Sequence, residues 1–138
     1  MTNEEWRFAM AQYMVLIPDD YDAWEAMTPQ QRNEVYAEHE VFAARLARGG
    51  HRVTGGAELT LPRTARTVRS GPDGITVTDG PYTEAVEQLS GYYLIETDDL
   101  PDLEQACGIL AHHVPIEIRQ LGRAVEDDVM VVAAEART

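Results

Sequence analysis

Residues 75–97 constrain the fold of this chain more strongly than any other segment. Ile75 and Val77 alternate with polar residues, as in a strand with one covered face, and the pattern ends at the sequence Asp-Gly-Pro of residues 79–81. This sequence favours a tight turn, because glycine admits positive φ and proline presets its own φ. After a polar segment, a second and more apolar strand is predicted over residues 92–97. The chain therefore contains two strands joined through a turn.

The same segment resembles a known family signature. It reads Asp-Gly-Pro-Tyr at residues 79–82, Glu-Gln-Leu at 87–89 and Gly-Tyr-Tyr-Leu-Ile at 91–95. These stretches resemble the DGPF signature of the YCII-related family, whose members read close to DGPFAETKEQLGGFYLI. The resemblance runs from about Tyr13 to Arg119 and so covers most of the chain.

The resemblance implies an α+β, ferredoxin-like fold, usually paired into a dimeric α+β barrel, and hence a homodimer. For function it implies a protein that binds a small molecule. Such a protein would be an acid/base enzyme, isomerase-like or lyase-like, acting on a small anionic or enolisable compound. Some relatives are associated with extracytoplasmic-function sigma factors. A non-catalytic regulatory or accessory protein is therefore the alternative.

Size and charge limit the possible partners. A chain of 138 residues is expected to form a single domain over residues 1–138. The formal net charge is −13, from 24 acidic and 11 basic residues, which disfavours nucleic acid and anionic membranes as partners. Because Cys107 is the only cysteine, no intrachain disulfide can form. Residues 1–12 lack the features of a signal peptide, and a cytoplasmic protein is predicted.

The remaining pattern predicts the order βαβ, hairpin, βαβ, with the hairpin inserted between core strands. Thr28 followed by Pro29 is typical of a helix start, and Gly49 of a helix stop. The predicted strands are 13–17, 52–59, 64–69, 75–78, 92–97 and 115–121, and the predicted helices are 29–48 and about 100–112. A C-terminal extension, 122–138, is expected to add a strand or to contact a partner subunit.

His39 is the main candidate for chemistry. It falls on the apolar stripe of the first long helix, four residues after Val35 and three before Phe42, and so is predicted to face the sheet. A histidine in such a place is usually structural. YCII-related proteins, however, carry a histidine in the equivalent helix, and the resemblance makes His39 a candidate acid or base.

The expected partner of His39 is a carboxylate. Smaller family members place an aspartate before a proline at the end of the second helix, whereas residues 112–115 read His-His-Val-Pro. Asp79 is the substitute, although its position also suits a turn former. A nearby Asp79 would raise the pKa of His39 above its ordinary value, while burial would lower it, and we predict the raised pKa.

Three further residues are candidates for substrate binding. Tyr82 replaces the usual phenylalanine of the signature and either stands as a bystander or donates to a bound anion. Arg66 and Arg119 could pair with a substrate carboxylate, but solvated strand edges explain them equally well.

No cofactor or metal is expected. The sequence contains no phosphate-binding glycine motif, no dinucleotide fingerprint and no Cys/His cluster. His112 is adjacent to another histidine, and neighbouring helical residues point in different directions, so a charge role at a helix C-terminus is favoured over a metal site. His51 is predicted to be a loop residue, and Cys107 to be a small core hydrophobe.

Overall fold

The computed structural model describes residues 10–83, 85, 87–112 and 114–122. The described chain is an α+β unit with three α-helices, six strands and a short 3₁₀ helix at Pro62–Thr64. In chain order the elements are β1 (Ala11–Asp20), α1 (Tyr21–Ala26), α2 (Pro29–Arg48), β2 (Arg52–Glu58), β3 (Arg66–Gly71), β4 (Gly74–Asp79), β5 (Glu87–Thr97), α3 (Leu100–Cys107) and β6 (Glu117–Gln120).

The strands form two antiparallel sheets. The larger has the order β2-β5-β1-β6, with Val15 opposite both Tyr93 on β5 and Ile118 on β6. The smaller sheet consists of β3 and β4 alone and pairs Val68 with Val77. The segment between β2 and β5 is thus a hairpin that lies outside the main sheet.

One face of the large sheet carries the core. The buried apolar side chains come from that face and from α2, α3 and the turn after α3: Tyr13, Val15, Phe42, Leu46, Ile95, Leu103, Ala106, Cys107 and Leu110. Because side chains alternate along a strand, Met14, Leu16 and Leu94 project from the opposite face. The large sheet is therefore covered by helices on one side.

The helix termini follow the capping residues of the sequence. Thr28 and Gln31 form a reciprocal capping box at the start of α2, with Thr28 Oγ1 accepting from the Gln31 backbone N–H and Gln31 Oε1 accepting from the Thr28 backbone N–H. Asp99 caps α3 through the backbone N–H of Asp102. The bounds predicted for α2, 29–48, are confirmed.

Three predicted boundaries differ from the structure by three or more residues. Pro18 does not end the first strand, because a register shift between Ile17 and Pro18 lets β1 continue to Asp20. The segment after it is the short helix α1. The polar residues before position 92 belong to β5, which pairs with β1 from Glu87 onward. The second helix ends at Cys107 instead of residue 112, and turns follow it.

The Gly55-Gly56 pair lies at a bulge in β2. The register of β2 against β5 shifts between Val53 and Gly55. A Cβ on Gly56 would lie 2.6 Å from the backbone oxygen of Tyr92, so only glycine fits there. Gly80, in the turn after β4, has a φ of 99°, as the Asp-Gly-Pro sequence predicts.

Two further points concern the ends of the chain and its helices. Within the described ranges, no helix has both the length and the apolar character needed to cross a membrane. The predictions for residues 1–9 and for most of the C-terminal extension, from residue 123 to 138, lie outside the described residues.

Candidate active site

A cavity of about 390 Å³ opens between the large sheet and the helices. Its lining comes from the end of β1, from α1, from the first half of α2, from the adjoining parts of β2 and β5, and from the turns after α3. Gly56 lies opposite Tyr93 and Gly91 lies opposite Glu58 in the strand register. Two helix-facing positions of the sheet therefore lack a side chain, which leaves the space beneath α2 unfilled.

His39 and Tyr93 meet in this cavity. Nδ1 of His39 lies 2.8 Å from the Tyr93 hydroxyl, and the two rings stack with centroids 6.0 Å apart. Phe42, one turn further along α2, packs edge-on against Tyr93 at 5.3 Å. The Tyr93 ring is thus held between two α2 side chains, and Nε2 is the His39 nitrogen available to a ligand.

The protonation states follow from partial burial. Desolvation lowers the pKa of His39 below its ordinary value of 6.5, and the weaker fields of Glu38 and Glu58 act in the opposite direction. The predicted raised pKa is therefore wrong, because burial outweighs the nearby carboxylates. Burial also raises the pKa of Tyr93 above 10.0. At neutral pH the pair consists of a neutral imidazole and a neutral phenol.

Aromatic rings and carboxylates form the rest of the lining. Tyr21, Trp24 and Tyr36 contribute rings, with Trp24 and Tyr36 in an edge contact at 5.7 Å. Asp19, Glu38 and Glu58 also line the cavity. The Tyr36 hydroxyl donates to Glu58 Oε1 at 3.3 Å. No arginine is among the lining residues in the described part of the chain.

The other predicted site residues lie elsewhere. Asp79 pairs with Arg66 across the β3–β4 hairpin, and both side chains are mostly exposed. Arg119 pairs with Glu117 on β6 at 2.9 Å. Tyr82 is 82% exposed, with the Arg69 guanidinium 6.0 Å from its ring centroid. None of these residues lines the cavity that contains His39.

A cluster of polar side chains around His51 was not predicted from the sequence. His51 is buried, with Nδ1 2.7 Å from Thr97 Oγ1 and Nε2 2.7 Å from Asp102 Oδ2. Arg45 binds the same carboxylate with both guanidinium nitrogens, at 3.0 and 2.6 Å. The bonds from Arg45 and His51 hold the pKa of Asp102 at about 2. This cluster ties the end of α2 to β5 and α3.

His51 lies in the loop between α2 and β2, as predicted, but its burial and its bonds to Thr97 and Asp102 were not predicted. No residue near His51 in the sequence indicates its burial. Its partner Asp102 lies in the first turn of α3, fifty-one residues away, and no spacing rule connects the two residues. His51 has no exposed side-chain surface, so it serves the packing of the fold and not a reaction.

The remaining candidates have structural roles. Cys107 is buried in the core as predicted, and burial raises the pKa of its thiol to about 11. His112 lies in the turns beyond α3 and contacts Glu38 through Nε2 at 2.9 Å. Over the described ranges, no three His, Cys, Asp or Glu side chains are grouped to hold a metal ion.

Comparison with known protein families gives a match. The family model described as the YCII-related domain matches residues 11–108. This range begins with β1 and ends just after α3, and so includes every element that lines the cavity except the turns beyond residue 108. No curated protein matches the chain.

Proposed function

Since this chain belongs to the YCII-related family, we propose that its cavity binds a small enolisable compound and that His39 acts there as a general acid/base. The observation that carries the proposal is the 2.8 Å contact between His39 Nδ1 and the Tyr93 hydroxyl inside a cavity of about 390 Å³. A histidine that is neutral, oriented by a hydrogen bond and open to a ligand has the properties of a catalytic base.

The reaction is a proton transfer next to a carbonyl group. Nε2 of neutral His39 takes a proton from the carbon beside the carbonyl, and the C–H electron pair becomes the C=C bond of an enolate, with the negative charge on oxygen. The resulting imidazolium returns its proton to a carbon of the same molecule. An isomerase would use this cycle. If a leaving group on the neighbouring carbon departs with the electron pair, the same first step gives elimination.

Tyr93 takes the place that the sequence predicts for Asp79. Its hydroxyl accepts from Nδ1–H while Nε2 acts as a base, and it donates to Nδ1 when the other neutral tautomer forms. A phenol beside the ring does not raise the pKa of His39 as a carboxylate would. His39 therefore remains in its basic form at neutral pH.

Deuterium exchange of a neutral ketone tests the proposal. Phenylacetone in D₂O would be incubated with the protein, and loss of its methylene proton signal followed by NMR. We expect catalysed exchange in the parent and a fall of about a hundredfold or more in His39→Gln, as for removal of a general base. His112→Gln is the matched control and should exchange like the parent.

Exchange by His39→Gln at the parental rate would overturn the assignment of His39. Absence of catalysed exchange in the parent, under conditions where the protein is folded, would count against enolisation chemistry on this probe. Far-UV circular dichroism of each variant separates loss of the base from loss of the fold.

We also propose a ferredoxin-like fold that pairs through the open face of its large sheet. The strand order β2-β5-β1-β6 and the two βαβ units support the fold. Met14 lies opposite Leu94, and Leu16 lies opposite Tyr92, on the side of the sheet away from the helices. A second copy would cover these side chains and give the dimeric barrel, with the β3–β4 hairpin as an insertion.

Sedimentation at micromolar concentration tests the dimer. Leu94→Glu should convert a parental dimer into monomer, because it places a charge at the centre of the apolar face. Val41→Glu, on the exposed side of α2, should leave the dimer intact. A parent that sediments only as monomer would contradict the pairing.

Two other expectations stay predictions. A cytoplasmic location and the alternative role, as a regulatory accessory of an extracytoplasmic-function sigma factor, follow from composition and from the family resemblance. Gene neighbourhood distinguishes the roles: an adjacent sigma-factor gene favours regulation, whereas a catabolic or biosynthetic cluster favours catalysis.

A further inference from the structure

The cavity is lined by acidic side chains, whereas arginines were predicted to bind the substrate. An anionic substrate would need a cationic side chain to receive it, yet the arginines proposed for that task pair with Asp79 and Glu117 away from the cavity. The lining instead contains Asp19, Glu38 and Glu58.

Glu58 is the most informative of these carboxylates. It lies on β2 opposite Gly91, so its side chain emerges on the helix-facing side where the sheet has no other side chain to fill the space. Its hydrogen-bond partner among the described residues is the Tyr36 hydroxyl, a neutral donor. Glu58 is exposed, and no ion pair of it is found in that part of the chain, although Arg32 lines a neighbouring pocket with it. Its charge acts on the pKa values of Tyr21, Tyr36 and His39.

The aromatic side chains of the cavity also favour a positively charged ligand. Tyr21, Trp24 and Tyr36 present rings to the cavity, and ring faces attract cations through their quadrupoles, most strongly for tryptophan. Arg32 already uses this property, with its guanidinium carbon 5.3 Å from the Trp24 ring centroid. Arg32 does not line the cavity, and its guanidinium nitrogens donate to the backbone oxygens of Trp24 and Glu25.

We propose that the cavity recognises a small organic cation, an amine or quaternary ammonium group, through Glu58 and the rings of Trp24 and Tyr36. The inference rests on the proposed function in taking the same cavity as the site, and it specifies the substrate class as a carbonyl compound that also carries an ammonium group. Such a group withdraws electrons from the adjacent C–H bonds. The charge that binds the substrate therefore also makes its proton easier for His39 to remove.

Three matched probes separate charge from shape. Choline and 3,3-dimethylbutan-1-ol have the same skeleton and differ by the cationic nitrogen, and 3,3-dimethylbutanoate carries the opposite charge on the same tert-butyl group. Binding would be followed by Trp24 fluorescence in a Trp6→Phe background, since the chain has two tryptophans. We expect choline to bind at least about fivefold more tightly than the alcohol, and the anion to bind most weakly.

Glu58→Gln identifies the source of the preference. It should weaken choline binding about fivefold or more and leave the alcohol unchanged, because it removes the charge and keeps the shape. Glu34→Gln is the control, since Glu34 is an exposed α2 residue that does not line the cavity. Circular dichroism melting curves confirm that both variants are folded.

The outcomes distinguish this inference from the proposed function. Equal binding of choline and the alcohol, preferred binding of the anion, no binding of choline, or unchanged choline binding in Glu58→Gln would each overturn the cation preference. Phenylacetone is neutral, so His39-dependent exchange of that ketone would still support the acid/base role. If both proposals are right, choline inhibits that exchange competitively in the parent and less well in Glu58→Gln.

Discussion

The Tyr93 hydroxyl lies 2.8 Å from Nδ1 of His39, and the two residues come from β5 and α2. The contact spans 54 positions of sequence and forms only when α2 packs on the sheet. It fixes the orientation of the imidazole ring while leaving the ring uncharged. A phenol thus lies beside the imidazole, where a carboxylate was expected.

Tyr93→Phe should slow ketone exchange by roughly tenfold, because the imidazole loses the hydrogen bond that orients it. The free energy of unfolding should fall by only about 1 kcal/mol, the usual net value of one hydrogen bond. Tyr82→Phe is the matched control, since Tyr82 is 82% exposed and does not line the cavity. Equal exchange rates for Tyr93→Phe and the parent would contradict the positioning role.

His39 should make the protein less stable as the pH falls. Its folded-state pKa lies below the unfolded value of about 6.5, so below that pH the unfolded chain takes up a proton that the folded chain resists. Stability should therefore drop as the pH falls from 6.5 toward the folded pKa. Urea midpoints at pH 7.5 and 5.5 would show a smaller drop in His39→Gln than in the parent. An equal or larger drop in the variant would contradict the lowered pKa.

Asp102 should also make the protein less stable as the pH falls, but at lower pH than His39. Arg45 and His51 hold its folded-state pKa at about 2, below the ordinary 3.8, so its ionised form stabilises the fold above pH 3.8 and that contribution is lost as the pH falls toward 2. Asp102→Asn should be clearly less stable than the parent in urea unfolding at pH 7, and the difference should shrink at pH 3.

Asp98→Asn is the control for Asp102, because Asp98 is exposed just before α3. It should leave the urea midpoint nearly unchanged at both values of pH. If the gap between Asp102→Asn and the parent were the same at pH 7 and pH 3, the ion pairs would not be the source of stability.

Gly49→Ala tests how tightly the Arg45–His51–Asp102 cluster is packed, because tight and loose packing predict changes of opposite sign in the free energy of unfolding. Gly49 has an ordinary φ of −81°, and there a glycine-to-alanine change usually stabilises by about 0.4–1 kcal/mol. Its Cβ, however, would meet Asp102 Oδ2 at 2.5 Å and His51 Nε2 at 2.7 Å. We expect a loss of about 1–3 kcal/mol from this overpacking in chemical denaturation. A stabilised variant would show that the cluster is loosely packed.

Local signals predicted most of the fold. The Thr28 and Gln31 capping box, Pro29 and the two glycines after residue 48 define both ends of α2, and they act within a few residues of each other. The C-terminal end of β1 was harder to predict, because Pro18 suggests that the strand stops there. At that point the chain instead shifts register against β5 and continues to Asp20, a choice that only the partner strand determines.

The site was only half predictable for the same physical reason. Helical spacing placed His39 on the sheet-facing stripe, and the structure agrees. Its partner could not be found by spacing, because Tyr93, like Asp102 in the His51 cluster, lies on an element distant in sequence. Asp79 is the first residue of the signature motif but pairs with Arg66 across a hairpin that lies outside the large sheet.

The pH dependence of ketone exchange tests the central claim most directly. The exchange rate of phenylacetone would be measured from pH 5 to pH 8 in the parent and in His39→Gln, and the His39 pKa determined by NMR titration of its ring. We predict a rate that rises with pH and levels off, with a midpoint that coincides with the His39 pKa and lies below 6.5. An identical profile in His39→Gln, or a midpoint unrelated to the titration of His39, would contradict the claim that His39 is the base.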